Sequence, residues 1–395
     1  MINLNKRYYW RFLLRIRFRQ EVYQIFVIII LMSKLKIAIV HDAFVTKGGA
    51  ERLAFYISKV FPDAPIFTSV HIKNLCFEEL TTKNIHTHYL SNFIKNERQF
   101  KFLYPIWLIF MLNSKFDNFD IVLSSSSYLA KFISSPKSGK HICYLHNPFR
   151  FIWNRSSYTD DSLPYNSFLI KIIEKFLPNI QKFDFRYTSR IDHIITNSIN
   201  MKNSINNIYN KDALVIHPPV EVNKYYLSDP QDYYLSVGRL ISHKRLELVI
   251  NACNRLNRKL IIIGDGPERK NLESISKPNI KFLGYVDNET LKKYYSTCKA
   301  LIFPSNEDFG MVPIEVHASG RPVIAYESGG ALETVKNEIN GVFFKKQTVE
   351  DIENAIIQFE KMNFSQEIIL NSVKRFDFSI FREKYQNLVN QVNKN

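Results

Sequence analysis

Twice along this 395-residue chain a short apolar run ends at a glycine-bearing loop, and the loop opens into a segment of helical period. Ile37–Val40 runs into Lys47-Gly48-Gly49-Ala50-Glu51, after which Leu53, Tyr56, Ile57 and Val60 recur at helical spacing. Tyr234–Val237 runs into Gly238-Arg239-Leu240-Ile241-Ser242-His243-Lys244 in the same way. Strands separated by helices pair through crossovers, so the sheets are mainly parallel and covered on both faces. Further apolar runs at Ile66–Ser69, Ile121–Leu123, Ile142–Leu145, Ile194–Thr196 and Leu214–Ile216 read as strands of the first series. The second series continues through Leu260–Ile263, Ile280–Leu283, Ala300–Phe303 and Pro322–Ala325, with helices from Lys244, Glu268, Glu289 and Met311. Between the series, the two prolines of His217-Pro218-Pro219-Val220 end a strand and hold the chain extended. The predicted fold class is α/β, with two Rossmann-like domains, 34–217 and 218–378, facing one cleft. The last helical stretch, Ser379–Val392 within 379–395, is expected to return to the first domain.

The formal charge of +16 points to a nucleic acid, an anionic membrane or phosphorylated small molecules as partners. No recognition-helix, zinc-finger or RNA-binding signature accompanies it, which disfavours nucleic acid. Cys76, Cys143, Cys253 and Cys298 form no CxxC pair, so neither a disulfide framework nor a zinc site is expected. Residues 1–33 stand apart: residues 1–31 carry six Lys/Arg against one Glu, among Tyr8, Tyr9, Trp10, Phe12 and Phe18. The apolar run Ile25–Met32 is too short to span a bilayer and no small-residue cleavage site follows. The segment reads as a membrane-surface anchor, or as leader to a translation start at Met32. Phe93–Phe116, aromatic and basic, reads as a core helix or an interfacial one.

Ligands of doubly wound folds bind beyond the carboxyl ends of the strands, so the loops there hold the candidate site. Arg239 and Lys244, five residues apart on such a loop, can neutralise a diphosphate, although a solvated basic turn has the same pattern. Gly264-Asp265-Gly266-Pro267 follows the next strand and permits close approach of a ligand to the backbone. The chain has neither GxGxxG here nor GxxxxGK[ST] anywhere, against an NAD-dependent dehydrogenase or a P-loop ATPase. Glu307 and Glu315 stand eight residues apart with Phe309-Gly310 between them. A helix from Met311 puts Glu315 one turn inside and Glu307 on the loop entering it, where free N–H groups meet an anion or a sugar hydroxyl. Alone, the pair reads first as an acidic loop before an ordinary amphipathic helix. Gly329-Gly330, with Glu333 close behind, repeats the strand, glycine loop, helix theme. In the first domain His146 follows a strand and shares its loop with Arg150 and Trp153, a polar grouping where a lone histidine would be structural.

In this order and spacing the motifs resemble the GT-B glycosyltransferases of family 4, retaining enzymes that use nucleotide sugars, from about Lys36 to the last helix. Glu307…Glu315 looks like that family's EX7E signature. His146-x-Pro-x-Arg-x-x-Trp and Gly329-Gly330-Ala331-Leu332-Glu333-Thr334-Val335 resemble the branch containing O-antigen mannosyltransferases. The resemblance implies that Arg239 and Lys244 clamp the donor diphosphate, helped by N–H groups at Gly48, Gly49 and the 329–333 loop. It implies that Glu307 binds donor-sugar hydroxyls beside the N–H groups of Phe309 and Gly310, Glu315 the ribose, and that His146 lies near the reacting sugar. Gly238, Gly264, Gly266, Gly284, Tyr285, Gly329 and Gly330 complete the implied donor-binding set, with Arg150 and Trp153 on the acceptor side. It implies no cofactor and no metal. The implied donor is GDP-mannose, with a UDP-sugar as the rival. The implied acceptor is a lipid-linked glycan at the inner face of the cytoplasmic membrane, whose anionic surface suits a peripheral basic protein. From a different class, a non-catalytic sugar-nucleotide-binding or scaffold protein is opposed by Glu307, Arg239 and Lys244 occurring together. Arg245 departs from the glycine frequent after this lysine in the wider family.

Overall fold

A computed structural model of the chain describes residues 35–153 and 167–394. The N-terminal extension and the start at Met32 therefore lie outside the described residues. The first domain holds β1 (Ile37–His41), β2 (Ile66–Thr68), β3 (Ile85–Thr87), β4 (Ile121–Ser126), β5 (Lys140–Leu145), β6 (His193–Thr196) and β7 (Leu214–Val215). They form one sheet in the order β3-β2-β1-β4-β5-β6-β7, every pair parallel. The second holds β8 (Tyr234–Val237), β9 (Leu260–Ile263), β10 (Ile280–Gly284), β11 (Ala300–Phe303), β12 (Val323–Tyr326) and β13 (Gly341–Phe344). Their order, β10-β9-β8-β11-β12-β13, is again wholly parallel.

Burial on both faces explains the unbroken apolar strands. Ile39 of β1 packs with Leu53, Ile57 and Tyr385, whereas Ala38 and Val40 pack on the other face with Trp107 and Val122. In β11, Ala300 and Ile302 enter one core and Leu301 and Phe303 the other. Period-two alternation therefore divides apolar residues between two cores.

The helices that position the site are α1 (Gly49–Val60), α2 (Glu97–Phe102), α3 (Tyr104–Asn113) and α4 (Arg150–Trp153). They are followed in the first domain by α5 (Ser167–Lys175), α6 (Leu177–Thr188) and α7 (Ile199–Tyr209). In the second domain come α8 (Leu246–Arg255), α9 (Arg269–Ser274), α10 (Asn288–Thr297) and α11 (Met311–Ala318). After these come α12 (Ala331–Thr334), α13 (Val349–Phe359), α14 (Gln366–Val373) and α15 (Phe378–Lys394). Two edge-side strands escape the sequence reading: β3 is three residues long with polar members, and β13 follows a polar turn. Phe93–Phe116 is not one helix. Asn96 caps α2 through its side chain, and Pro105 starts α3. Phe100, Trp107 and Met111 are buried, while Phe93, Phe102, Ile106 and Ile109 are exposed.

The helix expected from Lys244 begins later. Ser242–Lys244 forms a single 3-10 turn, Arg245 takes the left-handed conformation (φ 53°), and α8 starts at Leu246. Glycine suits that conformation at no steric cost, which accounts for its use there elsewhere; Arg245 bears a strain of about 1–2 kcal/mol. Its side chain is paired with Glu247 at 2.7 Å. At the other end of the chain, α15 buries Phe381, Tyr385, Val389 and Val392 in the core of the first domain, and Val220 N–H donates to Phe376 O nearby. The two crossings tie the domains together, Val220 and Phe376 packing with Phe309 of the cleft loop.

Candidate functional site

In each sheet the strand order reverses once, between β1 and β4 and between β8 and β11. A crevice opens beyond the carboxyl ends of the strands at such a reversal. Here the two crevices face each other around a cavity of about 480 Å³ whose lining includes Gly48, Gly49, His146, Lys244, Glu307 and Glu315. These sequence-predicted residues are thus brought together.

On the second-domain wall, Ser305 Oγ donates to Glu307 Oε1 at 2.8 Å and the Lys244 ammonium bonds the same oxygen. Burial opposes ionisation of Glu307, but Lys244 and Ser305 outweigh it and hold the carboxyl below its ordinary value. Among the described residues Oε2 of Glu307 accepts no hydrogen bond, so the oxygen is left for a ligand hydroxyl. Gly310 stands at φ 79°, and a Cβ there would meet the Phe303 ring at 3.0 Å. That constraint holds the loop against β11 as it enters α11. One turn into α11, Glu315 accepts from Arg52 of α1 at 2.5 Å and from Tyr295 of α10 at 2.8 Å. Beside them His243 lines the cavity as a neutral imidazole: burial first, then Lys244 and Arg150, lower it to about 4.

On the first-domain wall, α1 begins at Gly49 with Gly48, which has no side chain to cap with, as its N-cap, and the Glu51 carboxyl bonds the backbone N–H groups of Gly48 and Glu51. A Cβ at Gly48 would lie 2.5 Å from Glu51 Oε2, whereas one at Gly49 would meet open space. The amino end of this twelve-residue helix, with Gly48, Gly49 and Ala50, faces the cavity, where an anion is favoured. His146 follows β5. Burial and nearby His41 lower its imidazole to about 3, so it is neutral.

The walls are joined directly. Arg150 pairs with Asp308 at 2.6 Å and Asn147 Nδ2 donates to the same carboxylate oxygen at 3.1 Å. Ser198 Oγ donates to Asp308 O at 2.7 Å, and Ile199 N–H to Glu333 at 2.7 Å. Arg239 reaches over to Glu97 of α2 at 3.1 Å, half-exposed at the rim.

Several predicted ligand groups also make contacts within the scaffold. Trp153 turns away from the cavity and donates through Nε1 to buried Asp184 at 2.8 Å. A Cβ at Gly264 would lie 2.0 Å from Gly238 O and one at Gly266 2.2 Å from Leu240 O, so both glycines brace the Arg239 loop from behind. Gly330 N–H donates to Glu307 O at 2.8 Å and is spent on that loop, while a Cβ at Gly329 would lie 2.4 Å from the same carbonyl. Gly284 (φ 68°) accepts from Gly264 N–H at 2.9 Å, and the Tyr285 ring is exposed to solvent. The Phe309 side chain stacks on His217 (5.2 Å between centroids) and is buried at the domain junction. The sequence reading did not single out Arg52, Tyr295, Asn147, Asp308, Glu97 or His243 as site residues. Most of these contacts span long stretches of sequence, 263 residues for Arg52 and Glu315, 161 for Asn147 and Asp308 and 142 for Glu97 and Arg239.

Among the described residues no group of three or more His, Cys, Asp or Glu is disposed to hold a metal ion. A second hollow of about 710 Å³ lies at the amino ends of β8, β11 and β12. Its cations are taken, Arg258 by Glu360 at 2.7 Å and Lys299 by Asp232 at 2.6 Å.

Residues 220–375 match the family described as glycosyl transferases group 1. An uncharacterised glycosyltransferase of Methanocaldococcus jannaschii is 32% identical over 38% of this chain and 41% of its own length. The chain thus spans under half of that relative. The O-antigen chain mannosyltransferase RfbU of Salmonella typhimurium is 25% identical over 82% of this chain and 89% of its own. In fold, Anabaena HepE, crystallised with UDP and glucose, superposes with a TM-score of 0.65 at 18% identity, covering 90% of this chain and 99% of that one. With its two facing parallel sheets, the chain has the GT-B fold, and residues 220–375 of its second domain match the group 1 glycosyl transferases.

Proposed function

We propose that the protein is a retaining glycosyltransferase that moves an α-mannosyl residue from GDP-mannose to a lipid-linked glycan. It works without a metal, peripherally at the cytoplasmic face of the membrane, in the building of bacterial surface polysaccharide. The observation that carries the reading is the Lys244–Glu307 pair set in the cleft opposite His146 and the amino end of α1. Breaking the bond between a sugar and a diphosphate leaves negative charge on the phosphate and positive charge on the sugar. A catalyst must meet the phosphate with fixed positive groups. Lys244 and the N–H groups at Gly48 and Gly49 serve that end, with Arg239 at the rim. Oε2 of Glu307 is suited to a sugar hydroxyl. Similarity to RfbU over most of the chain supports mannose, and the basic composition supports an acceptor whose diphosphate and lipid neighbours are anionic.

A UDP-sugar donor is the second reading, favoured by the likeness in fold to HepE with UDP and glucose. Calorimetric titration with GDP-mannose and with UDP-sugars separates the two, and absence of GDP-mannose binding removes the mannosyl assignment. Lys244→Ala and Glu307→Ala are each expected to cut turnover by roughly 10²–10³-fold while the melting temperature stays within a few degrees. Unchanged transfer by either variant takes that residue out of the mechanism.

A further inference from the structure

Beneath His146 runs a short chain of buried polar groups. His41 ends β1 and stands in register with Ser125 of β4, while His146 is the first residue after β5 and donates its N–H to Ser126 O at 3.0 Å. His41 Nδ1 lies 3.0 Å from Ser125 O and 3.2 Å from Ser125 Oγ, and Oγ lies 2.9 Å from His146 Nε2. All three residues are buried, Ser125 completely.

These distances determine where the protons sit. A carbonyl oxygen only accepts, so His41 Nδ1 carries a proton. Burial keeps the His41 ring neutral, which leaves its Nε2 bare, and that atom has no hydrogen-bond partner among the described residues. Ser125 Oγ accepts from the His41 N–H and has one proton of its own. His146 Nε2 is the acceptor within reach of that proton. If Nε2 were protonated instead, the serine proton would be left unpaired in a fully buried position, at a cost of about 1–3 kcal/mol. His146 therefore accepts at Nε2, and as a neutral ring it carries its proton on Nδ1. Nδ1 makes no hydrogen bond among the described residues, and His146 lines the cavity.

We propose that Ser125 and His41 are positioning residues that fix His146 as the Nδ1–H tautomer, so that it meets the bound ligand as a hydrogen-bond donor and not as a base. Only the identity of that ligand rests on the glycosyl-transfer reading. A neutral N–H donor suits an oxygen that gains negative charge as the glycosidic bond breaks, or a sugar oxygen that must be held.

The test is the two-bond ¹H–¹⁵N spectrum of ¹⁵N-histidine-labelled protein near neutral pH, with His146 assigned by its loss in His146→Gln. A pyrrole-type Nδ1 and a pyridine-type Nε2 are expected for His146 in the unaltered protein. Ser125→Ala is expected to abolish that fixed pattern and to lower kcat about tenfold with donor KM within about twofold, and Ser125→Thr, which keeps the hydroxyl, to recover both. A protonated Nε2 in the unaltered protein overturns the proposal, as does a tautomer unmoved by Ser125→Ala. Should Ser125→Ala fail to fold, the spectrum of the unaltered protein alone decides. A fixed Nδ1–H tautomer in a protein that binds no sugar nucleotide upholds this inference and removes the proposed function.

Discussion

Glu51 shows how far a residue's chemistry departs from its place in a motif. It sits three positions after the N-cap of α1, where a carboxylate ordinarily gains from the helix dipole. Burial pushes its carboxyl up to about 8, with Glu97 and Asp42 adding to the shift against the backbone N–H groups of Glu51 and Gly48. The unfolded chain loses this proton near 4.5 and the folded one near 8, so between those values the native state holds a proton that the unfolded state lacks. Stability therefore falls as pH rises through that window, by at most about 1.4 kcal/mol per unit. Glu51→Gln is expected to match the native protein at pH 5 and to exceed it at pH 8 in urea unfolding; parallel curves would place Glu51 in contact with water. The placing of residues in the cleft was legible where the chemistry was local. Lys244, Glu307 and Glu315 could be read because a strand, a loop and a helix start place them without help. Gly264 and Gly330 could not, because what excludes a Cβ there is backbone at Gly238 and Phe309, more than 20 residues away. His146 was legible as a site residue, but its tautomer depends on β1 and β4.

At the scale of elements, the boundaries of β8, β9 and β11 agree with the sequence reading to the residue, since each is an unbroken apolar run between polar turns. The loop carrying His146 and Arg150 is different, because α4 has only four residues and cannot stand alone. It is held by Trp153 Nε1 on Asp184 of α6 and by Gln181 Nε2 on Ile152 O at 3.0 Å. Asp184 also accepts from Tyr209 of α7 at 2.6 Å and pairs at 2.5 Å with Lys131, both charged side chains being fully buried. Three segments thus converge on the one carboxylate of α6, and the tryptophan read as an acceptor-side group is the strut that aims Arg150 at Asp308. Removing Trp153's bond with Trp153→Phe should cost about 1–3 kcal/mol. Asp184→Ala should cost more, about 3–5 kcal/mol, because Lys131 is left as an uncompensated buried charge. Urea unfolding of the two variants checks the order; equal losses would mean that Lys131 does not carry its charge there.

At the scale of the whole molecule, the cleft and an exposed apolar surface of the first domain share one segment. Glu97 opens α2 and reaches Arg239, and the residues flanking it, Phe93, Arg98 and Phe102, line one hollow at the surface. Phe93 is 71% exposed, Phe102 57% and Ile109 59%, with Lys95 and Arg98 exposed among them. No described helix is long and apolar enough to cross a membrane, so this surface can meet a bilayer only by lying against it. Apolar rings mixed with cations suit an anionic interface, where each buried ring contributes about 1.5–3 kcal/mol and each cation about 1 kcal/mol. The sequence reading divided Phe93–Phe116 between core and interface; the structure does both, because α3 is apolar around its circumference and only Trp107 and Met111 are buried. A bilayer held there would lie on the α2 side of the cleft, where a lipid-linked acceptor would arrive. The double variant Phe102→Ser/Ile109→Ser removes about 3 kcal/mol of such burial and should weaken flotation with phosphatidylglycerol vesicles roughly a hundredfold. Deleting residues 1–31 tests the other candidate anchor by the same flotation. Binding lost in the deletion and retained in the double variant would assign attachment to the N-terminal segment; the converse would assign it to α2 and α3.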